Sequence, residues 1–252
     1  MDYRALTPAD VACICDHTFL ARPEAFRGQA ADPLAAYETA WDDFLRQTFT
    51  LPAPPYAICV RHDEVEPTIR RLAAENRLAI QVAATVGFPL GDRNPSALKL
   101  QETRWALDHG ATEIDTVLRW RDLKNGDERS VANDLTALRA ATAGYRARLK
   151  VILEVCELTD DEIRRACRLC GEAGADFVKT STGFGRGGAT VHALRLMRES
   201  FAGGIKISGG VTANNLGELL EAATGAPGGA LDPLKIRLGE SSLLKPVSPG
   251  KD

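Results

Sequence analysis

The segment LKVILEVCELTDDEIRRACRLCGEAGADFVKT, residues 149–180, contains two short runs of β-branched and apolar residues separated by one helical pattern. The runs, 149–154 and 177–180, have the length and composition of buried strands. Between them, Thr159 and the acids that follow it form a helix start signal, and apolar residues recur at helical spacing over 163–173. The segment therefore predicts a strand–helix–strand unit with parallel strands.

The same alternation recurs along the whole chain. Short apolar runs lie at residues 18–20, 56–60, 79–86, 113–118, 149–154, 177–180, 205–207 and 236–238. Eight short strands alternating with helices favour an α/β fold, the (β/α)8 TIM barrel, with a doubly wound open sheet as the structural alternative. The length of 252 residues suits one such barrel as a single domain over residues 1–252, and a short N-terminal helix is predicted before the first strand, near 10–15.

The chain is close to electrical neutrality, with 31 Lys and Arg against 34 Asp and Glu and a formal net charge of −3. This slight acidity argues against nucleic acid or an anionic membrane as the partner, so any anion site must be local. No apolar run approaches the ~18–20 residues that span a bilayer. The first residues also lack the features of a signal peptide, so we expect a cytoplasmic protein.

Six cysteines are too few for a disulfide scaffold in a chain of 252 residues. Cys167 and Cys170 have the spacing of half a zinc site, but they lie on the apolar stripe of a predicted helix and no second pair follows. We therefore predict that both are buried in the core, and the same holds for Cys13 and Cys15. The four histidines are scattered without ligand spacing, so the sequence predicts neither a metal nor another cofactor.

Polar side chains interrupt several of the predicted strands. Because the C-terminal strand ends carry the chemistry in barrels of this kind, these side chains are candidates for a functional site. They are Asp16, Thr18, Cys59, Asp115, Lys150, Glu154, Lys179 and Lys206.

Lys179 and Lys206 lie inside apolar runs on successive predicted strands. A buried ammonium is costly, so a single lysine there would be expected to reach solvent or pair with a carboxylate, and that interpretation stays open. Two such lysines on neighbouring strands would lower each other's pKa, and desolvation would add to the shift. A neutral lysine attacks carbonyl groups, so the pair predicts a Schiff-base site.

Glycine-rich segments follow the last three predicted strands, at 181–188, 208–212 and 239–242. Glycine lets backbone N–H groups approach an anion, and barrels bind phosphate after strands seven and eight. A single segment of this kind is more typical of a plain turn, but the three together predict a phosphate site. Glu240 would oppose an anion there unless its side chain points away, and Arg186 is either a positive contact or a solvated side chain.

These residues resemble the deoxyribose-phosphate aldolase family from about residue 10 to 245, in the family's order. The resemblance is carried by 16–18, 57–60, 85–91, 113–115, 149–154, 174–184, Lys206 with 209–211, and Gly239 with Ser241 and Ser242. It implies a class I, metal-independent aldolase on a (β/α)8 barrel that reversibly cleaves 2-deoxyribose 5-phosphate to glyceraldehyde 3-phosphate and acetaldehyde. The implied partners are a phosphorylated sugar and an aldehyde, and a homo-oligomer stays open.

The resemblance also implies a role for each matching residue. Lys179 would form the Schiff base, Lys206 would perturb it and join a proton relay, and Asp115 would be the relay carboxylate acting through water. The implied substrate-binding residues, of which the glycines and the last two serines would hold the phosphate, are Asp16, Thr18, Cys59, Lys150, Thr180, Gly183, Gly209, Gly210, Ser241 and Ser242.

The chain departs from the family pattern at four places. After the fourth strand it reads TVLRWR, residues 116–121, with Arg119 where one group of the family has proline. Cys156 stands where glycine is common after the fifth strand, and Ser208 and Glu240 replace smaller residues. Arg119 and Trp120 would reshape the aldehyde pocket, so an aldolase for a different sugar phosphate is the alternative enzyme. A catalytically silent barrel that only binds a phosphosugar is the other alternative. It is disfavoured because binding alone needs no pair of mutually repelling lysines.

Overall fold

The computed structural model of the chain describes residues 1–244. Eight parallel strands close into a barrel, in which each strand pairs with the next along the chain and the eighth pairs with the first. The strands are β1 (Cys15–Thr18), β2 (Ala57–Arg61), β3 (Gln81–Val86), β4 (Glu113–Val117), β5 (Arg148–Ile152), β6 (Phe177–Lys179), β7 (Gly204–Ser208) and β8 (Ile236–Gly239). The predicted (β/α)8 barrel is confirmed and the open-sheet alternative is wrong. The single-domain assignment over residues 1–252 stays a prediction.

Helices separate successive strands along the chain and pack against them. They are α1 (Pro8–Ala12), α2 (Pro33–Phe49), α3 (Val65–Ala74), α4 (Ser96–Asp108), α5 (Trp120–Lys124), α6 (Glu128–Gly144), α7 (Asp160–Glu172), α8 (Val191–Ser200) and α9 (Leu216–Thr224). The short helix α1 confirms the one predicted before the first strand. Within residues 1–244, no helix combines the length and the apolar character needed to cross a bilayer.

The start of α7 illustrates how local sequence sets a helix boundary. The Thr159 hydroxyl accepts a hydrogen bond from the N–H of Glu162, and the Glu162 carboxylate accepts one from the N–H of Thr159. This reciprocal pair satisfies two backbone donors that have no partner within the helix. The predicted helix start at Thr159 is therefore confirmed.

The first strand lies earlier in the chain than the apolar run 18–20 predicts. It is Cys15–Thr18, in which Asp16 points into the barrel while His17 stacks on Phe44 of α2 with ring centroids 4.6 Å apart. A strand with polar side chains on both faces shows no continuous apolar run in the sequence. The predicted position is therefore too late in the chain, because the apolar residues Phe19 and Leu20 follow the strand.

The cysteine predictions hold for three of the four positions. Cys167, Cys170 and Cys15 are buried, and burial raises the pKa of Cys167 to about 12, which keeps that thiol protonated. Cys13 is exposed, so its predicted burial is wrong. It lies one residue beyond the end of α1, where the chain turns towards β1, and therefore belongs to no buried face.

Candidate active site

A cluster of buried charged side chains fills the barrel interior, and we call it the interior cluster. It contains three carboxylates and four cations: Asp16, Glu113, Asp115, Lys150, Lys179, Lys206 and Arg237. Because alternate residues of a strand face the same side, residues two positions apart on β4 both point inward. Strand pairing then places Asp115 beside Lys150, and Lys179 beside Lys206.

Asp115 lies at the centre of the interior cluster. Its Oδ1 accepts a hydrogen bond from Lys150 Nζ at 2.8 Å, and its Oδ2 accepts one from Lys206 Nζ at 2.7 Å and one from Lys179 Nζ at 3.1 Å. Burial alone would raise the pKa of Asp115, but the three lysines hold that pKa well below its usual range. Asp115 is therefore an ionised carboxylate in contact with all three lysines.

Asp16 and Glu113 supply the remaining negative charge. Asp16 Oδ2 lies 2.5 Å from Lys206 Nζ, and Asp16 Oδ1 accepts a hydrogen bond from Arg237 Nε at 2.7 Å. Arg237 Nη2 also donates to Glu113 Oε2 at 2.5 Å. Burial alone would raise the pKa of Asp16, but Arg237 and the neighbouring lysines lower it. Asp16 and Glu113 therefore hold Lys206 and Arg237 in fixed positions inside the barrel.

The three lysines differ in how much negative charge each contacts. Lys150 lies within 3.2 Å of three carboxylates, and Lys206 within 2.7 Å of two. Although burial opposes it, this negative charge raises the pKa of both lysines above the ordinary value. Among the described side chains, Lys179 contacts only one carboxylate, that of Asp115. Burial and the charge of Lys206 lower its pKa, so Lys179 is the amine that loses its proton most readily.

A cavity of about 300 Å³ opens beside Lys179, at the C-terminal ends of the strands. Gly209 and Gly210 line it with positive φ angles of 85° and 70°, a conformation that side chains rarely adopt. A Cβ on Gly188 would lie 2.3 Å from the carbonyl oxygen of Gly209, so the glycine-rich loops after β6 and β7 touch there. The cavity thus joins the amine of Lys179 to glycine-rich backbone, as the sequence predicts.

The predicted site residues fall into distinct places. Five belong to the interior cluster: Asp16, Asp115, Lys150, Lys179 and Lys206. Five others line the cavity: Thr18, Gly183, Gly209, Gly210 and Ser241. Cys59 lies inside the barrel with its Sγ 3.9 Å from Lys206 Nζ, and burial raises the pKa of that thiol.

Thr180 and Ser242 lie outside the described lining of the cavity. The Thr180 hydroxyl donates to the carbonyl oxygen of Ser208 at 2.8 Å and accepts from the Ser208 N–H at 2.9 Å. Ser242 is exposed, and its hydroxyl donates to the carboxylate of Glu240 at 3.1 Å. Thr180 therefore holds β6 to β7, and Ser242 contacts a side chain of its own loop.

Two charged residues of the cluster, Glu113 and Arg237, received no role from the sequence. Arg237 lies between Ile236 and Leu238 on β8, and Glu113 lies two residues before Asp115. A charge inside an apolar run is the pattern that marks the lysines as candidates, and the same pattern is present at Arg237.

Of the two departures near residue 120, only Trp120 lies next to the cavity. It lines a neighbouring cavity of about 190 Å³, which shares Thr182 and Phe184 with the first one. Arg119 is outside both described linings and is held by an ion pair with Asp122 and by a backbone carbonyl. Arg186 pairs with Glu157 at 3.0 Å and its side chain is 70% exposed, which agrees with the solvated interpretation.

The chain matches the model of the DeoC/LacD family of aldolases over residues 13–245. It belongs to this family. The chain is 41% identical over 204 residues to a deoxyribose-phosphate aldolase of Exiguobacterium sibiricum, a match that covers 80% of this chain and 84% of the relative. It is 40% identical over 200 residues to the deoxyribose-phosphate aldolase of Thermococcus kodakarensis, covering 78% and 84%. A solved structure described as the aldolase QR15 superimposes with a TM-score of 0.70 and 30% identity over 93% of both chains.

Replacing Lys206 with Met tests which charge lowers the pKa of Lys179 in this aldolase. Acetaldehyde forms an imine, which borohydride traps, only with a neutral amine, so trapping on Lys179 should increase with pH as its proton is lost. Removing the Lys206 ammonium keeps the burial of Lys179 but removes the positive charge that lowers its pKa, so the midpoint of that increase should move to higher pH. Lys206→Arg keeps the charge and should keep the midpoint. An unchanged midpoint in Lys206→Met would mean that burial acts alone.

Replacing Arg237 with Met tests the interior cluster as a source of stability. The change removes one of the two cations that contact both Asp16 and Glu113 and leaves Lys150 as the other, and we expect the free energy of unfolding to fall by about 3–5 kcal/mol. Arg70, whose side chain is 75% exposed in its pair with Glu66, is the matched control, and Arg70→Met should cost at most about 1 kcal/mol. Denaturant titration measures both variants. Equal losses would show that the buried pairs add nothing beyond surface pairs.

Proposed function

We propose that this aldolase reversibly cleaves 2-deoxyribose 5-phosphate to glyceraldehyde 3-phosphate and acetaldehyde through a Schiff base on Lys179. The observation that carries the proposal is the difference among the three buried lysines. Lys150 and Lys206 have raised pKa values, whereas the pKa of Lys179 is lowered, and Lys179 borders the cavity. Membership of the family and the names of its relatives support the choice of substrate.

The charge balance of the interior cluster supports Lys179 as the nucleophile. Its three carboxylates are matched by the three cations with raised pKa values, Lys150, Lys206 and Arg237. A protonated Lys179 would add a fourth, poorly compensated positive charge to a buried region, which is costly. The neutral amine avoids that cost, and it is the form that attacks a carbonyl carbon.

In the cleavage direction, the neutral Nζ of Lys179 attacks the C1 aldehyde of the open-chain sugar, and loss of water gives a protonated imine. The C3 hydroxyl then loses its proton and the C2–C3 bond breaks, with its electron pair moving towards the iminium nitrogen. The oxygen on C3 becomes the aldehyde oxygen of glyceraldehyde 3-phosphate. The enamine left on Lys179 takes a proton at C2, and water hydrolyses the resulting imine to release acetaldehyde and the free amine.

Asp115 and Lys206 are assigned to the proton transfers. Asp115 Oδ2 lies between the two amines, 3.1 Å from Lys179 Nζ and 2.7 Å from Lys206 Nζ. A proton can therefore pass between them through this oxygen or through a water molecule beside it. Asp16 and Lys150 hold Lys206 and Asp115 in that arrangement through contacts of 2.5 and 2.8 Å.

The rest of the substrate would occupy the cavity beside Lys179. The backbone of Gly183, Gly209 and Gly210 lines the end that the phosphate would occupy. The small-molecule partners are then a phosphorylated sugar and an aldehyde. A cytoplasmic location and a single domain over residues 1–252 remain predictions.

Borohydride reduction in the presence of acetaldehyde tests the nucleophile. We expect an N-ethyl group on Lys179, located by peptide mass mapping, because its amine is the neutral one. Lys179→Met should abolish both the adduct and the cleavage activity while the unfolding transition remains. An adduct on Lys150 or Lys206 with Lys179 unmodified would overturn the assignment.

Exhaustive chelation tests the reaction class. An iminium ion accepts the electron pair of the breaking bond, which is the task of the metal ion in metal-dependent aldolases. Cleavage activity should therefore survive dialysis against EDTA without change. Loss of activity that Zn²⁺ restores would contradict the Schiff-base mechanism.

A further inference from the structure

The side chain of Glu240 folds back onto the loop that follows β8. Its Oε1 accepts hydrogen bonds from the N–H of Ser241 at 2.7 Å, the N–H of Ser242 at 2.9 Å and the Ser242 hydroxyl at 3.1 Å. This loop lies where barrels of this fold bind the phosphate of a substrate. The carboxylate therefore occupies donors that a phosphate group would otherwise use.

The serine hydroxyls of this loop are also engaged within the chain. Ser241 Oγ donates to the carbonyl oxygen of Thr18 at 2.8 Å and accepts from the Thr18 N–H at 3.1 Å. The Ser242 hydroxyl is taken by Glu240. With Glu240 in this position, the two serines have no donor left to offer to an anion.

The charges that line the cavity disfavour an anion as well. Glu240 lines the cavity beside Lys179, and among the described lining residues Lys179 is the one cation. Lys179 must be neutral to react, so it offers a phosphate no lasting positive charge. Arg186, on the loop after β6, lies outside the described lining and pairs with Glu157. A phosphate dianion here would meet a carboxylate without a compensating cation.

We propose that Glu240 is a specificity-determining residue that weakens the preference of this aldolase for phosphorylated over unphosphorylated 2-deoxy sugars. The inference rests on the proposed aldolase function. A phosphate must either displace Glu240 from the N–H groups of Ser241 and Ser242 or bind next to its carboxylate, and both cost binding free energy. A free terminal hydroxyl carries no charge and can donate a hydrogen bond to the same carboxylate.

Three variants separate the charge of Glu240 from its occupation of the loop. Glu240→Gln removes the charge and keeps the size, Glu240→Ala removes both, and Glu199→Gln removes the same charge from an exposed position on α8. The measured quantity is the ratio of kcat/KM for 2-deoxyribose 5-phosphate to kcat/KM for 2-deoxyribose. We expect this ratio to rise about tenfold in Glu240→Gln and further in Glu240→Ala. The change should lie in KM for the phosphorylated sugar, with kcat nearly constant, and Glu199→Gln should leave the ratio unchanged.

Binding of inorganic phosphate, measured by calorimetry, provides a readout that does not depend on catalysis. Phosphate should bind more tightly to both Glu240 variants than to the parent chain. An unchanged or lower ratio, together with unchanged phosphate binding, would overturn the role of Glu240 while acetaldehyde trapping on Lys179 left the aldolase assignment intact. A different outcome would refute the proposed function and keep the role of Glu240. In that outcome neither the parent chain nor the variants cleave the sugar, but both Glu240 variants bind phosphate more tightly than the parent chain.

Discussion

The carboxylate of Asp115, in contact with three lysines, is the interaction on which the barrel interior depends. Each of those lysines comes from a different strand, so the contacts form only when β4, β5, β6 and β7 pair in one register. A slip of one residue would turn the charged side chains towards the helices and leave them in apolar surroundings. The interior cluster therefore stabilises one register as well as supplying charge for chemistry.

The barrel could be predicted from sequence because parallel strands buried on both faces appear as continuous apolar runs. The same reasoning failed for β1, in which Asp16 and His17 occupy opposite faces of a short polar strand. It also could not foresee the buried pair between Lys99 of α4 and Asp134 of α6, whose Nζ and Oδ2 lie 2.9 Å apart. That contact joins two helices that are distant in sequence, and a local sequence pattern does not predict which residues of two such helices will be in contact.

The residue types of the candidate site could be predicted from the sequence. The differences in pKa among its three lysines could not. Lys150, Lys179 and Lys206 look alike in the sequence, since each is a lysine within a mainly apolar run. They are distinguished by the number of carboxylates within hydrogen-bond distance, which is a property of the closed barrel. The glycine-rich loops were likewise visible, whereas the engagement of Thr180 with Ser208 depends on strand pairing.

The geometry separates the chemistry of this aldolase from its choice of substrate. Besides burial, the main influences on the pKa of Lys179 are Lys206 and Asp115, which are fixed inside the barrel by the interior cluster. Glu240 lies on the loop after β8, and the described hydrogen bonds of its side chain are with the backbone and hydroxyl of its own loop rather than with those charges. A change in that loop can therefore alter which sugar binds without altering the protonation of Lys179. Because the strands fix the lysines and the loops fix the anion donors, the preference for a phosphate can vary within this fold while the proposed Schiff-base lysine stays the same.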